Sequence, residues 1–263
     1  QLLSKIDENS LLSYPSKKII KDILNQYWKI LINDGVKTIN DERVGVPRGI
    51  GISAYLSELY MRDFDKKIAT FENVTYYCRY VDDIIIVITP KNRNENKTIS
   101  NYKTELKNIV LKSTLLNINK TKTTFIDLRK ENKDRKNSID YELTYLGYKF
   151  IIGYKKDKKN VVKKPLRILM SDSKFERYIN KIKSSSEDFN IEKAKYTSDH
   201  SGINRLLLQR MKFLTNNFQL VRRKDNVFVG VYYSNEFIND YSNLIELDKI
   251  LKNQITLITP IGK

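Results

Sequence analysis

Residues Tyr76–Thr89 run YYCRYVDDIIIVIT. Two short segments rich in aromatic and β-branched side chains, Tyr76–Val81 and Ile84–Ile88, are parted only by Asp82-Asp83, which is the pattern of a β-hairpin carrying two carboxylates at its tip. Holding ionised carboxylates beside so apolar a segment costs on the order of several kcal/mol unless a partner or a metal compensates them. The plain alternative is a β-turn, where aspartate is common for its local hydrogen bonding.

Working outward, the spacing predicts helix on both sides. Downstream, Ser100–Leu116 places Tyr102, Leu106, Ile109, Val110 and Leu115 on one side. Thr123–Leu128 and Tyr145–Ile152 then read as strands joined by the charged loop Arg129–Ser138. Upstream, Leu56, Leu59, Tyr60, Phe64 and Ile68 keep helical spacing in a segment that starts at Ser53. The residues before it, Gly45-Val46-Pro47-Arg48-Gly49-Ile50-Gly51-Ile52, form a turn-rich loop. Earlier still, Ile19, Ile20, Ile23, Leu24, Tyr27, Trp28 and Leu31 form one stripe of a helix over Ser16–Ile32, capped by Ser16 and stopped at Asp34-Gly35. Toward the C-terminus, Phe175–Ile182, Ile203–Phe218 and Leu244–Leu251 read as helices and Val227–Tyr233 as a short strand.

The chain has 263 residues and carries 48 Lys and Arg against 31 Asp and Glu, a formal charge of +17. Such a balance favours a polyanionic partner, nucleic acid first and an anionic membrane surface second, although lysines spread over every face give the same sum. Between Lys155 and Arg167 seven cations stand against Asp157 alone. A composition shift there places a domain boundary at residue 153, with 154–263 mostly helical and basic. A single cysteine, Cys78, excludes an internal disulfide, and a single histidine, His200, excludes a multi-histidine zinc site. Cys78 reads as a small core residue, His200 as a polar loop residue, and the 17 tyrosines as packing groups. The longest apolar run, Ile84–Ile88, falls far short of a membrane span, and no leader segment stands out, so we expect a cytoplasmic protein without a membrane partner.

The order of blocks resembles the reverse transcriptase family. Tyr80-Val81-Asp82-Asp83 resembles its Tyr-x-Asp-Asp box, and Val46-Pro47-Arg48-Gly49 with Ser53 resembles its Leu-Pro-Gln-Gly-x-x-x-Ser loop. Leu116-x-Ile118-Asn119-x-x-Lys122-Thr123 is similar to its lysine-bearing block, and Tyr145-Leu146-Gly147-Tyr148 to the hairpin called the primer grip. The segment Ser53–Glu58, with Arg210–Thr215 and Val229–Ser234, is similar to the bacterial abortive-infection, defence-associated branch.

The resemblance implies an α+β fold: a polymerase palm with an antiparallel sheet over 1–153, followed by a thumb-like C-terminal domain over 154–263. It implies an RNA-directed DNA polymerase that adds dNTPs with two Mg²⁺ ions, in bacterial anti-phage defence. Asp82 and Asp83 would be the catalytic metal ligands and Lys122 the group that binds or protonates pyrophosphate. Pro47, Arg48, Gly49, Ser53 and Tyr80 would touch nucleotide or template, and Leu146, Gly147 and Tyr148 the primer. Lys155, Lys156, Lys158, Lys159, Lys163 and Lys164 would line the duplex. Implied partners are an RNA template, including a dedicated noncoding RNA, the DNA product, and a protein subunit or second copy. Two departures stand out. Arg48 replaces glutamine, and the aspartate expected before Leu2-Leu3-Ser4-Lys5-Ile6, with the fingers, would lie upstream of Gln1; Asp7 is the only local substitute. A catalytically incomplete palm that binds RNA and an RNA-directed RNA polymerase are the alternative functions.

Overall fold

The computed structural model describes residues 2–40, 45–47, 49–90, 97–128, 139–156, 161–196, 200–221 and 226–258. The chain forms two compact units, Gln1–Arg129 and Lys130–Lys263. Both mix helices with small antiparallel sheets.

In the first unit, helices α1 (Leu2–Glu8), α2 (Tyr14–Asn33) and α3 (Gly51–Ala69) bury Ile6, Ile20, Leu24 and Leu56 together. Helix α2 starts earlier than Ser16. The Ser13 hydroxyl caps it by accepting from the Ser16 N–H at 3.4 Å, and Pro15 occupies the first turn, where a missing N–H is harmless. The second cluster, Phe64, Ile68 and Leu106, joins α3 to α4 (Ile99–Thr114). Strands β1 (Val74–Tyr80) and β2 (Asp83–Ile88) form the expected antiparallel hairpin and lay Tyr77, Ile84 and Ile86 on that cluster. The register pairs Tyr77 with Ile86 and Arg79 with Ile84, so Arg79 shares the inward face. Tyr80 pairs with Asp83 on the opposite face, where Tyr76 and Tyr80 are exposed.

Thr123–Leu128 does not form the expected strand. The Asn119 side chain accepts from the Thr121 and Lys122 N–H groups, closing a local turn, and Phe125 then packs on the Phe64 cluster without its segment joining a ladder among the described residues.

In the second unit, β3 (Ile139–Tyr145) and β4 (Tyr148–Lys156) form a hairpin, and β5 (Val161–Lys163) and β6 (Arg167–Met170) share the other edge of β4. Pro165, which lacks an N–H, falls between those two short strands. The expected strand Tyr145–Ile152 is therefore the end of β3, a Leu146-Gly147 turn and the start of β4. The boundary expected at residue 153 falls inside β4, because β4 pairs with β3 on one side and with β5 and β6 on the other, tying 139–170 into one sheet. Helix α5 (Asp172–Lys195) runs well beyond Phe175–Ile182 and packs through Ile182 and Phe189. Helix α6 (His200–Thr215), which His200 begins rather than precedes, the hairpin β7 (Asn217–Val221)–β8 (Asn226–Gly230) and α7 (Ser242–Leu257) complete the unit. The loop 129–138 lies outside the described residues.

Candidate active site

The β1–β2 hairpin turns through Val81 and Asp82, closed by the Tyr80–Asp83 pair. Val81 sits at φ +56°, a conformation that costs a β-branched residue roughly 1–3 kcal/mol and persists only where surrounding bonds enforce it. Arg79 supplies one such bond: its Nη1 donates to the Val81 carbonyl at 2.9 Å. The same guanidinium, 6% exposed, donates to both oxygens of Glu58 at 3.0 and 2.7 Å and to both oxygens of Asp65 at 2.8 and 2.7 Å. Its five N–H donors are thus all engaged. Tyr77 Oη also donates to Asp65, at 2.5 Å. Burial pushes the Asp65 carboxyl up, but the bonds from Arg79 and Tyr77 outweigh it and leave the group below the usual range. Burial, and then the bond to Asp65, push the Tyr77 phenol far up. The bond to Asp65, against burial, holds Arg79 more firmly charged.

Asp82 and Asp83 are exposed, and neither side chain makes a hydrogen bond or ion pair with another described residue. Two adjacent carboxylates fit Mg²⁺, which takes oxygen ligands and characteristically only one or two protein carboxylates beside water and phosphate. They are a partial donor set, since no group of three or more His, Cys, Asp or Glu is clustered to hold a metal among the described residues. Asp7 lies on α1 rather than on a strand, and its carboxylate pairs with Lys21 at 2.6 Å.

At the entrance to α3, the Ser53 hydroxyl donates to the Pro47 carbonyl, and the Ser53 N–H to Ile50 O at 3.1 Å. Pro47 is buried, while Gly49 is exposed at φ +83°, a backbone position open to glycine at no steric cost. Arg48 lies outside the described residues. Lys122 stands exposed on the turn that Asn119 closes.

The remaining predicted residues belong to the second unit. Leu146 and Gly147 make the β3–β4 turn at φ +48° and +78°, and Leu146 is exposed. The Tyr148 hydroxyl donates to Ser234 O at 3.2 Å, and Lys174, held below the usual lysine range chiefly by burial, donates to the same carbonyl at 2.5 Å with its Nζ 5.1 Å from the Tyr148 ring. The backbones of Lys155 and Lys156 lie in β4 and that of Lys163 in β5. Lys164 is bound to Asp140 at 2.9 Å, and Lys158 and Lys159 lie outside the described residues.

Sequence reasoning missed Arg79, Glu58, Asp65 and Lys174. For the first three a signal existed: Glu58 and Asp65 stand two helical turns apart on one face of α3, and Arg79 has the inward parity of Tyr77.

The family model for reverse transcriptase (RNA-dependent DNA polymerase) matches residues 4–150, more than half of the chain and a span that takes in the β1–β2 hairpin. No curated protein and no solved structure matches the chain significantly.

Proposed function

Since this chain belongs to the reverse transcriptase (RNA-dependent DNA polymerase) family, we propose that it is an RNA-directed DNA polymerase of the bacterial defence-associated type, with Asp82 and Asp83 as its metal-binding carboxylates. A nucleic-acid template and dNTP substrates follow from the family, whose members generally use Mg²⁺. The observation that carries the assignment is the pair of exposed, uncommitted carboxylates at the tip of a hairpin inside the matched region.

Mg²⁺, when bound, would lower the cost of the charge that develops as a primer hydroxyl displaces pyrophosphate from an incoming nucleotide. Asp82 and Asp83 would hold it, their side chains carrying no competing ion pair among the described residues. Lys122, exposed and cationic, would bind the leaving pyrophosphate or return a proton to it. The Pro47–Ser53 loop, with its exposed Gly49, offers backbone for close approach of nucleotide or template. In the second unit Leu146, Gly147 and Tyr148 form a turn suited to a primer strand, and the basic run from Lys155 to Lys164 suits duplex phosphates. On this assignment the palm runs through the β3–β4 hairpin and the rest of the chain serves as the thumb.

The test is primer extension with dNTPs on an RNA template. Asp82→Asn with Asp83→Asn removes the metal-binding charge with little change in volume, and should abolish extension while leaving unfolding unchanged. Extension at the wild-type rate by that double variant would refute the assignment. A wild-type chain that binds RNA but extends with neither dNTPs nor NTPs is the incomplete-palm outcome, and extension with NTPs alone is the RNA polymerase outcome.

A further inference from the structure

We infer that Arg79 is a positioning residue for Asp82: it holds the hairpin tip in the conformation that aims the carboxylate, using helix α3 as the anchor. The inference rests on the assignment of Asp82 as a metal ligand, and it deepens that assignment by naming what holds the ligand in place.

Val81 and Asp82 share a peptide group, so fixing the Val81 carbonyl fixes the plane from which the Asp82 side chain departs. That carbonyl accepts from Arg79 Nη1 at 2.9 Å. The guanidinium cannot swing to follow a moving tip, because its other four N–H groups are held by Glu58 and Asp65 at 2.7–3.0 Å. Those two carboxylates sit on one face of a helix whose Phe64 and Ile68 are 1% and 0% exposed. A chain of contacts thus runs from a rigid core, through a planar cation, to the one peptide that precedes Asp82. Without it, Val81 would be free to leave φ +56° for the extended region that β-branched residues prefer, and Asp82 would be re-aimed. Lysine cannot replace this device, since its ammonium has three donors and no fixed fork.

A role confined to gluing β1 onto α3 makes a different forecast, so the readouts are local. Amide hydrogen exchange and Mn²⁺-induced line broadening are followed by NMR, with Mn²⁺ alone as the probe. In Arg79→Lys, the amides of Tyr80 and Asp83, which pair across the turn, should exchange about ten-fold faster, while those in the middle of α3 and α4 keep their wild-type rates. The Mn²⁺ concentration that half-broadens the tip amides should rise by about ten-fold, the scale on which losing a residue that orients a metal ligand acts. Glu58→Gln, at a residue whose exposed ion pair is screened by water, should shift both readouts in the same direction by about three-fold. Tip exchange within two-fold of wild type in both variants would overturn the inference, as would faster exchange spread evenly over β1, β2 and α3. Faster tip exchange in a protein whose wild type neither binds Mn²⁺ at the tip nor extends a primer would instead overturn the polymerase proposal and leave the clamp standing.

Discussion

Replacing Asp65 with Asn tests how much of the first unit's stability passes through the guanidinium network. Asp65 accepts from Tyr77 Oη and Arg79 Nε at one oxygen and from Arg79 Nη2 at the other, with its side chain 31% exposed. An amide oxygen can keep the first two bonds, but the amide NH2 then faces Nη2, so one bond of 2.7 Å is lost and two donors oppose each other. A hydrogen bond to a charged group contributes about 1.5–3 kcal/mol, and we expect Asp65→Asn to cost that amount. Glu58→Gln loses a bond of the same kind, but Glu58 is 58% exposed and water screens it, so its cost should stay below about 1 kcal/mol. Trp28, the single tryptophan, is buried on α2 in the same unit and reports its unfolding by fluorescence. With a urea slope of about 1–3 kcal/mol per molar, the Asp65→Asn midpoint should fall by roughly 1 M at pH 7. The pH dependence has a definite sign. The folded carboxyl of Asp65 titrates below the unfolded value of about 3.9, so its contribution is complete above that pH and is lost as pH falls through the folded value. The gap between wild type and Asp65→Asn should therefore close on acidification. A cost under about 0.5 kcal/mol at pH 7, or a gap that widens in acid, would refute the network argument.

Changing Lys155, Lys156, Lys158, Lys159, Lys163 and Lys164 to Gln should flatten the slope of log affinity against log salt for a DNA duplex, by about 0.9 for each phosphate contact removed. Lys164, already paired with Asp140 at 2.9 Å, should contribute least when changed alone, and a salt slope unchanged in the six-fold variant would mean that the run faces only solvent. Gly147→Ala places a Cβ 3.6 Å from the Lys174 side chain, which is ordinary contact, but forces φ +78° on an L-residue. It should lower stability by about 1–2 kcal/mol through backbone strain, measured as a drop in thermal midpoint, and an unchanged midpoint would show that the turn relaxes without penalty.

Local pattern alone carried the hairpin, helices α2, α3 and α4 and the two carboxylates at the tip, but not α1. In Tyr76–Ile88 two aromatic and β-branched runs parted by Asp82-Asp83 make the hairpin and its tip follow from composition, whereas the register came with the structure; the α2 and α3 stripes repeat at helical spacing. The composition of Tyr145–Ile152 reads as continuous strand, and its Leu146-Gly147 turn entered only through the resemblance to the primer-grip hairpin, because a leucine, which here adopts φ +48°, carries no turn signal of its own. Strands β5, β6 and β7 escaped notice because short strands owe their existence to a neighbour's ladder and not to their own composition. The same is true of Thr123–Leu128, which has strand composition and finds no ladder to join among the described residues. Asp82 and Asp83 could be named from the chain itself, since two charges inside an apolar segment are a local anomaly. Arg79, Glu58 and Asp65 are ordinary charges at their own positions, and only packing of the hairpin on α3 gathers them around one guanidinium. Which carboxylates stand at the tip is thus written in neighbouring residues, while how they are aimed depends on bonds between Arg79 and residues 14 and 21 positions away, which no local period encodes.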